Sequence, residues 1–274
     1  MAEPGDYLHV DPCTLLRPAI DIAIQAGRRI LEVYEAGFSV EHKEDMTPLT
    51  EADMAAHEVI DAGLVYLSPG IPVLTEESTN IPFSERALWQ RYWLVDPLDG
   101  TREFIDRTGE FTVNIALIDN HEPVLGVVYA PVIGVYYYAC RGQGAFKREA
   151  CNEPQRIHVR SRHGEKVVVA GGRMAHQRGG SLERFLENIG DYEAIAMGSA
   201  LKSCLVAEGK ADIYARLGPT SEWDTAAAQC VVEEAGGQVT DTKMRRMRYN
   251  TKDELLNPHF FIFGDSSVNW SDYL

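Results

Sequence analysis

Tyr92-Trp93-Leu94-Val95-Asp96-Pro97-Leu98-Asp99-Gly100-Thr101 is the stretch around which the chain is organised. Residues 92–95 are apolar and rich in β-formers, and read as a buried strand. Asp96-Pro97 then cuts it, because proline donates no ladder hydrogen bond and holds the residue before it extended. Asp96 and Asp99 follow at the strand's end, where one turn can aim both at a single point. Carboxylates that close repel unless a cation lies between them. Their hard oxygens suit Mg²⁺, Ca²⁺ or Mn²⁺. Gly100-Thr101 comes next, offering backbone N–H groups to a phosphate and a hydroxyl to a water. The same residues also make an ordinary Asx turn with a glycine hinge, so the rest of the chain has to decide.

The 274 residues suffice for one large domain or two intimate halves. The formal net charge of −15 argues against general binding of a nucleic acid polymer, which needs a basic face. An anionic substrate must then be attracted locally, by metals or a few cations, while much of the charge serves solubility. Cys13, Cys140, Cys151, Cys204 and Cys230 are odd in number and scattered, with no Cys-x-x-Cys. They are expected to be reduced thiols of a cytosolic protein rather than a disulfide frame or zinc site. The first residues hold no basic segment leading into an apolar one, so no signal peptide is expected. No apolar run approaches the roughly 18 residues of a membrane span.

Working outward, Asp11-Pro12 opens a helix, with Asp as cap and Pro in the first turn. Leu15, Leu16, Ala19, Ile20, Ala23, Ile24, Ile30, Leu31 and Tyr34 carry it at helical spacing to Gly37. A short strand over 38–42 and a polar loop around Lys43 lead to a second helix from Thr50. Its inner stripe is Ala52, Ala56, Val59, Ile60 and Leu64. Residues 71–74, 111–118, 124–129 and 135–139 read as strands. The first half is therefore two helices beside a largely antiparallel sheet. After a polar run at 154–163, strands over 167–170, 194–197 and 211–215 alternate with helices over 181–188, 200–207 and 226–232, which suggests α/β layering. Two halves are expected, 1–160 and 161–274.

Three further acids have two readings each. Asp53, in Thr50-Glu51-Ala52-Asp53, is fully explained as the acid of a capping box. Glu76-Glu77 end a strand, which usually means a solvated edge. At a shared sheet edge Glu76 would instead add a third carboxylate to the Asp pair. Asp224 opens the helix over 226–232, where cap and dipole both favour an acid. Yet Gly218-Pro219-Thr220-Ser221-Glu222-Trp223 sets a bulky anchor beside it, as though the side chain's direction mattered.

In that order, Glu76-Glu77, Trp93 through Thr101, and Trp223-Asp224 leading to Ala235-Gly236-Gly237 resemble the inositol monophosphatase superfamily. Its members are lithium-sensitive, Mg²⁺-dependent phosphomonoesterases. Gly109-Glu110-Phe111-Thr112-Val113-Asn114, Leu205-Val206-Ala207-Glu208-Gly209 and Gly218 through Ala227 are similar to the bacterial CysQ type of 3′(2′),5′-bisphosphate nucleotidase. The resemblance covers residues 20–263. It implies a mixed α+β or α/β class, a layered α/β/α/β/α sandwich of the inositol monophosphatase and fructose-1,6-bisphosphatase type, with metals where the halves meet.

Carried over position by position, the resemblance gives these roles. Glu76, Asp96 and the Leu98 carbonyl would hold one Mg²⁺; Asp96, Asp99 and Asp224 would hold a second, with two or three ions per site. Gly100 and Thr101 would bind the scissile phosphate through their N–H groups, and Thr101, Asp53 and Glu76 would orient and deprotonate the attacking water. Glu76, Leu98, Asp99, Gly100, Thr101 and Asp224 would thus face the substrate. Lys43 matches a loop lysine that reaches water or phosphate, and reads equally as solvated. Physically, Mg²⁺ ions roughly 4 Å apart can activate water, align a phosphate and steady the leaving oxygen.

The implied reaction is hydrolysis of the 3′-phosphate of adenosine 3′,5′-bisphosphate to AMP and phosphate, linked to sulfur assimilation. An inositol phosphate or sugar bisphosphate is the alternative substrate. A silent binding protein on the same fold is a third reading, against which the intact acids speak. Arg173, Lys202 and Arg216 are candidates for the non-scissile phosphate, and each also reads as a surface cation. The chain departs from the resemblance at Gly171-Gly172-Arg173-Met174-Ala175-His176, where a Ser-Arg-Ser-His run is expected, and at Ala215, where proline is. The expected partner is a small phosphate ester, a bisphosphate nucleotide, with no stable membrane insertion. A monomer or homodimer in the cytoplasm is expected, with peripheral contact to the inner membrane as the variant.

Overall fold

The computed structural model describes residues 10–37, 40–42, 48–161, 166–172 and 180–274. Pro12–Leu15 form a 3-10 turn capped by Asp11, whose carboxylate accepts the Cys13 N–H at 3.0 Å. Helix α1, Leu16–Ala36, runs on from it and stops at Gly37, burying Ala19, Ala23, Ala26 and Ile30. Two short antiparallel strands, β1 (Val40–His42) and β2 (Pro48–Thr50), lead to α2 (Glu51–Leu67). Its buried face is Ala52, Asp53, Ala56, Ile60 and Leu64. Then come β3 (Val73–Thr75), α3 (Phe83–Arg86), β4 (Arg91–Asp99) and α4 (Thr101–Ile105). A meander follows: β5 (Thr112–Asp119), β6 (Glu122–Ala130), β7 (Val135–Cys140), β8 (Gly144–Glu149) and β9 (Gln155–Ile157). The remainder alternates: β10 (Val167–Gly171), α5 (Ser181–Ile189), β11 (Tyr192–Ala196), α6 (Leu201–Ala207), β12 (Ile213–Arg216), α7 (Ala226–Glu234), β13 (Gln238–Asp241) and β14 (Phe260–Phe263).

One sheet has the order β3-β4-β5-β6-β7-β8-β9 and is antiparallel except where β3 runs parallel to β4. The other, β11-β10-β12-β14-β13, is mixed: β10 is parallel to both neighbours, and β14 is antiparallel to both of its own. Strand alternation sorts the layers. Trp93, Val95, Val113, Ile115 and Leu117 pack with the buried faces of α1 and α2. Tyr92, Leu94, Ala116 and Ile118 share a core with α6 and α7, and that core reaches Val168, Ala170, Tyr214 and Ile262 of the second sheet. Val167, Val169, Phe261 and Phe263 pack on its far side against Phe185 of α5. The result is the expected α/β/α/β/α sandwich. Gly126 shows how tightly the middle layers meet: a Cβ there would lie 2.2 Å from the Ala227 carbonyl oxygen.

The structure corrects three expectations. First, β4 does not stop at Asp96. Asp96 opposes Asn114 and Asp99 opposes Thr112, so Pro97 and Leu98 bulge out across from Val113. The bulge absorbs the donor that proline lacks, and pairing resumes. Second, the polar run at 154–163 contains β9, an edge strand whose only buried residue is Ile157. Strands β8, β13 and β14 also go beyond the sequence reading. Third, Cys13 and Cys140 form a disulfide, with Cα atoms 5.6 Å apart; Cys151, Cys204 and Cys230 are free. The fold sets the 3-10 turn beside the end of β7, a proximity that 127 residues of separation conceal in the sequence. Among the described residues no helix is long and apolar enough to cross a membrane.

Candidate active site

The parallel pairing of β3 with β4 brings two acids level. Thr75 lies opposite Val95, and the Glu76 N–H donates to the Val95 carbonyl at 3.2 Å. Glu76 and Asp96 are the next residues of the two chains. Beyond Asp96 the bulge turns the backbone, and the Leu98 N–H donates to Asp96 Oδ1 at 3.0 Å, which fixes that side chain. Gly100 then takes φ +92°, a conformation that strains residues with a Cβ, and Thr101 opens α4.

Asp224 arrives from the other half of the chain. It closes a 3-10 turn, Glu222–Asp224, just ahead of α7 rather than standing in the helix's own first turn. The Ser221 N–H donates to Asp224 Oδ2 at 2.8 Å. Trp223 is buried and anchors the loop as its size suggested. Residues the sequence reading missed fasten it further. Asn257 Nδ2 donates to the Ser221 carbonyl at 2.6 Å, and the Glu222 carboxylate accepts the Asn250 N–H at 2.8 Å. Both asparagines sit in segments to which the sequence reading assigned no element.

Carboxylate oxygens of Asp96, Asp99 and Asp224 lie within 4.8 Å of one another. Burial, then Glu76, Asp99, Asp224 and Asp53 in turn, holds the Asp96 acid well above the usual carboxylate range. Asp224 is pushed up to about 8 by burial and by Asp99, against the Ser221 N–H, which favours its charged form. Asp96 thus feels the charge of the other four acids singled out in the sequence, of which Asp99 and Asp224 share its cluster of oxygens. Asp53 is buried, at 2 % exposure, in the first turn of α2. Asp99 is gripped by donors the sequence reading passed over. Its Oδ2 accepts from the Ser199 hydroxyl at 2.7 Å, the Ala200 N–H at 2.6 Å and Asn114 Nδ2 at 3.3 Å. One signal was legible: Thr112 and Asn114 are polar residues on the same face of a strand buried up to its last residue.

This donor set fits a divalent cation. The acids supply only hard oxygens, and charged carboxylates this close repel one another unless a cation lies between them. Two cations stand nearby. Lys202 Nζ lies 5.4 Å above the Tyr214 ring, and burial lowers its proton affinity while Asp99, Glu103 and Asp224 raise it. Arg216 donates to the Pro219 carbonyl at 3.0 Å, and its buried Nε has no hydrogen-bond partner. Neither forms an ion pair with another described residue. Ala215 is an ordinary member of β12. Lys43 and residues 173–176 lie outside the described residues.

Fold and acidic centre together define a protein built to gather hard-oxygen ligands at the end of β4. Residues 11–262 match the model of the inositol monophosphatase family, and the chain belongs to that family. A relative from Salmonella typhimurium, 3′(2′),5′-bisphosphate nucleotidase CysQ, is 46% identical over 90% of this chain and 98% of its own length. The protein of the same name from Haemophilus influenzae is 39% identical over 93% and 95%. The crystal structure of CysQ from Bacteroides thetaiotaomicron superposes with a TM-score of 0.79 at 38% identity, covering 92% of this chain and 97% of that one.

Proposed function

We propose that the chain is a Mg²⁺-dependent 3′(2′),5′-bisphosphate nucleotidase, removing the 3′-phosphate of adenosine 3′,5′-bisphosphate to give AMP and phosphate in sulfur metabolism. The observation that carries this beyond a generic phosphatase is the pair Lys202 and Arg216, two cations with no carboxylate partner among the described residues, close to Asp99 and Asp224. A single scissile phosphate has no need of them. A second phosphate gives them a partner. The name borne by the relatives agrees with that reading.

Glu76, Asp96 and the Leu98 carbonyl would hold one Mg²⁺, and Asp96, Asp99 and Asp224 another. When bound, Mg²⁺ supplies charge neutralisation and a more acidic water. Gly100 and Thr101 hold the scissile phosphate by their N–H groups. The Thr101 hydroxyl and Asp53 orient the attacking water and take its proton, with Glu76 beside them. Lys202 and Arg216 hold the 5′-phosphate and so set which ester presents itself.

The test is phosphate release at millimolar Mg²⁺, with adenosine 3′,5′-bisphosphate and inositol 1-phosphate compared side by side, with and without lithium. A large preference for the nucleotide is expected. Lys202→Ala should raise KM for the bisphosphate by about 10-fold or more and leave 3′-AMP nearly unaffected. A preference for the inositol ester would sink the nucleotide assignment and leave the metal reading standing.

A further inference from the structure

Asp99 depends on a turn whose own conformation is unfavourable. Ser199 has φ +54°, in the left-handed region where a residue with a Cβ is strained. In that conformation its hydroxyl and the Ala200 N–H both reach Asp99 Oδ2. Something outside the turn must hold it there. Gly198, immediately before, is pinned against the segment that opens β5. A Cβ on it would lie 2.6 Å from Glu103 Cγ and 2.9 Å from the Glu110 carbonyl oxygen. At this contact the Gly198 N–H donates to Glu110 Oε2 at 2.9 Å. Glu110 is itself 8 % exposed, so its carboxylate competes with little water for that bond. Its own N–H is tied to the Thr108 hydroxyl at 3.3 Å.

We propose that Glu110 is a positioning residue for Asp99. It clamps the Gly198 N–H, the clamp keeps Ser199 left-handed, and Ser199 and Ala200 then fix the rotation of the Asp99 carboxylate. Glu110 is not one of the acidic trio, and the proposed reaction gives it no part in binding substrate. Its effect passes through one turn to one cation ligand, and the proposal rests on that reading of Asp99.

The test compares the full-length chain with Glu110→Ala and Glu110→Gln. Amide hydrogen exchange is followed over residues 198–200, Mn²⁺ affinity by the electron paramagnetic resonance of the free ion, and kcat separately from KM. Glu110→Ala should speed exchange at 198–200 while distant strands stay protected. It should also weaken Mn²⁺ binding by about 10-fold or more, as loss of a group that orients a ligand does. At saturating cation, kcat should recover most of its value. Glu110→Gln keeps an acceptor oxygen and should restore both readouts. Unchanged exchange at 198–200, or unchanged Mn²⁺ affinity, overturns the proposal. So does a loss that appears only with exchange rising throughout the chain, which marks a structural role. If the parent chain binds no Mn²⁺, both this proposal and the metal reading fall. If it binds Mn²⁺ but hydrolyses neither ester, only the proposed reaction falls.

Discussion

Asp224 sits where its charge is opposed by burial and by Asp99, and that gives the cation-free protein a definite pH dependence. Its acid is raised from 3.8 to about 8 in the fold. An acid raised on folding contributes stability that is fully present below its unfolded value and lost as pH climbs through the folded one. With divalent cations chelated, the melting temperature should therefore fall between pH 5 and pH 9, by on the order of 5 °C. Mg²⁺ added at pH 8 should reverse the fall, and Asp224→Asn should reduce it, Asp96 and Glu222 being raised in the same sense. Calorimetry across that range checks the sign; a curve that rises with pH would refute it. The same substitution, or Asp99→Asn, should cost phosphate release by about 100-fold or more while leaving the chain folded, since an amide cannot supply the lost negative charge.

At the scale of elements, the bulge in β4 and the glycine in β6 decide what the sheet can present. Gly126→Ala would drive a methyl group to 2.2 Å from the Ala227 carbonyl oxygen, a backbone atom that cannot rotate away. It should cost about 1–3 kcal/mol in chemical denaturation, by pushing α7 off the sheet. Much of this scale was legible in the sequence. Helices α1 and α2 carry unbroken apolar stripes, and β4, β5 and β6 are near-continuous apolar runs, as buried strands must be. The edge strands were less so. Gln155 and Arg156 in β9 are exposed, so nothing in their chemistry separates strand from loop. For the candidate site the pattern was similar. Acids that stand at strand ends announced themselves. Ser199 and Glu110 make their contacts across a folded turn, which a one-dimensional pattern does not carry.

At the scale of the whole molecule, five layers are stacked so that a single buried core joins the two sheets through α6 and α7. The ion pair of Arg160 with the buried Asp212 ties the segment entering the second sheet to the residue that precedes β12. The Cys13–Cys140 bond adds a constraint of a different kind. In the chain-entropy account a closed loop of this length is worth about 4–5 kcal/mol, and measured values are often smaller. Cys140→Ser, or treatment of the folded protein with a dithiol reductant, should lower the melting temperature by several degrees; an unchanged value would show the bond to be absent in solution.

The same bond makes residues 13–140 a covalent ring. Asp53, Glu76, Asp96, Asp99 and Thr101 all lie on it, and Asp224 lies outside. One backbone cut anywhere in that ring leaves a single molecule, which runs as one band on a denaturing gel until a reductant releases two.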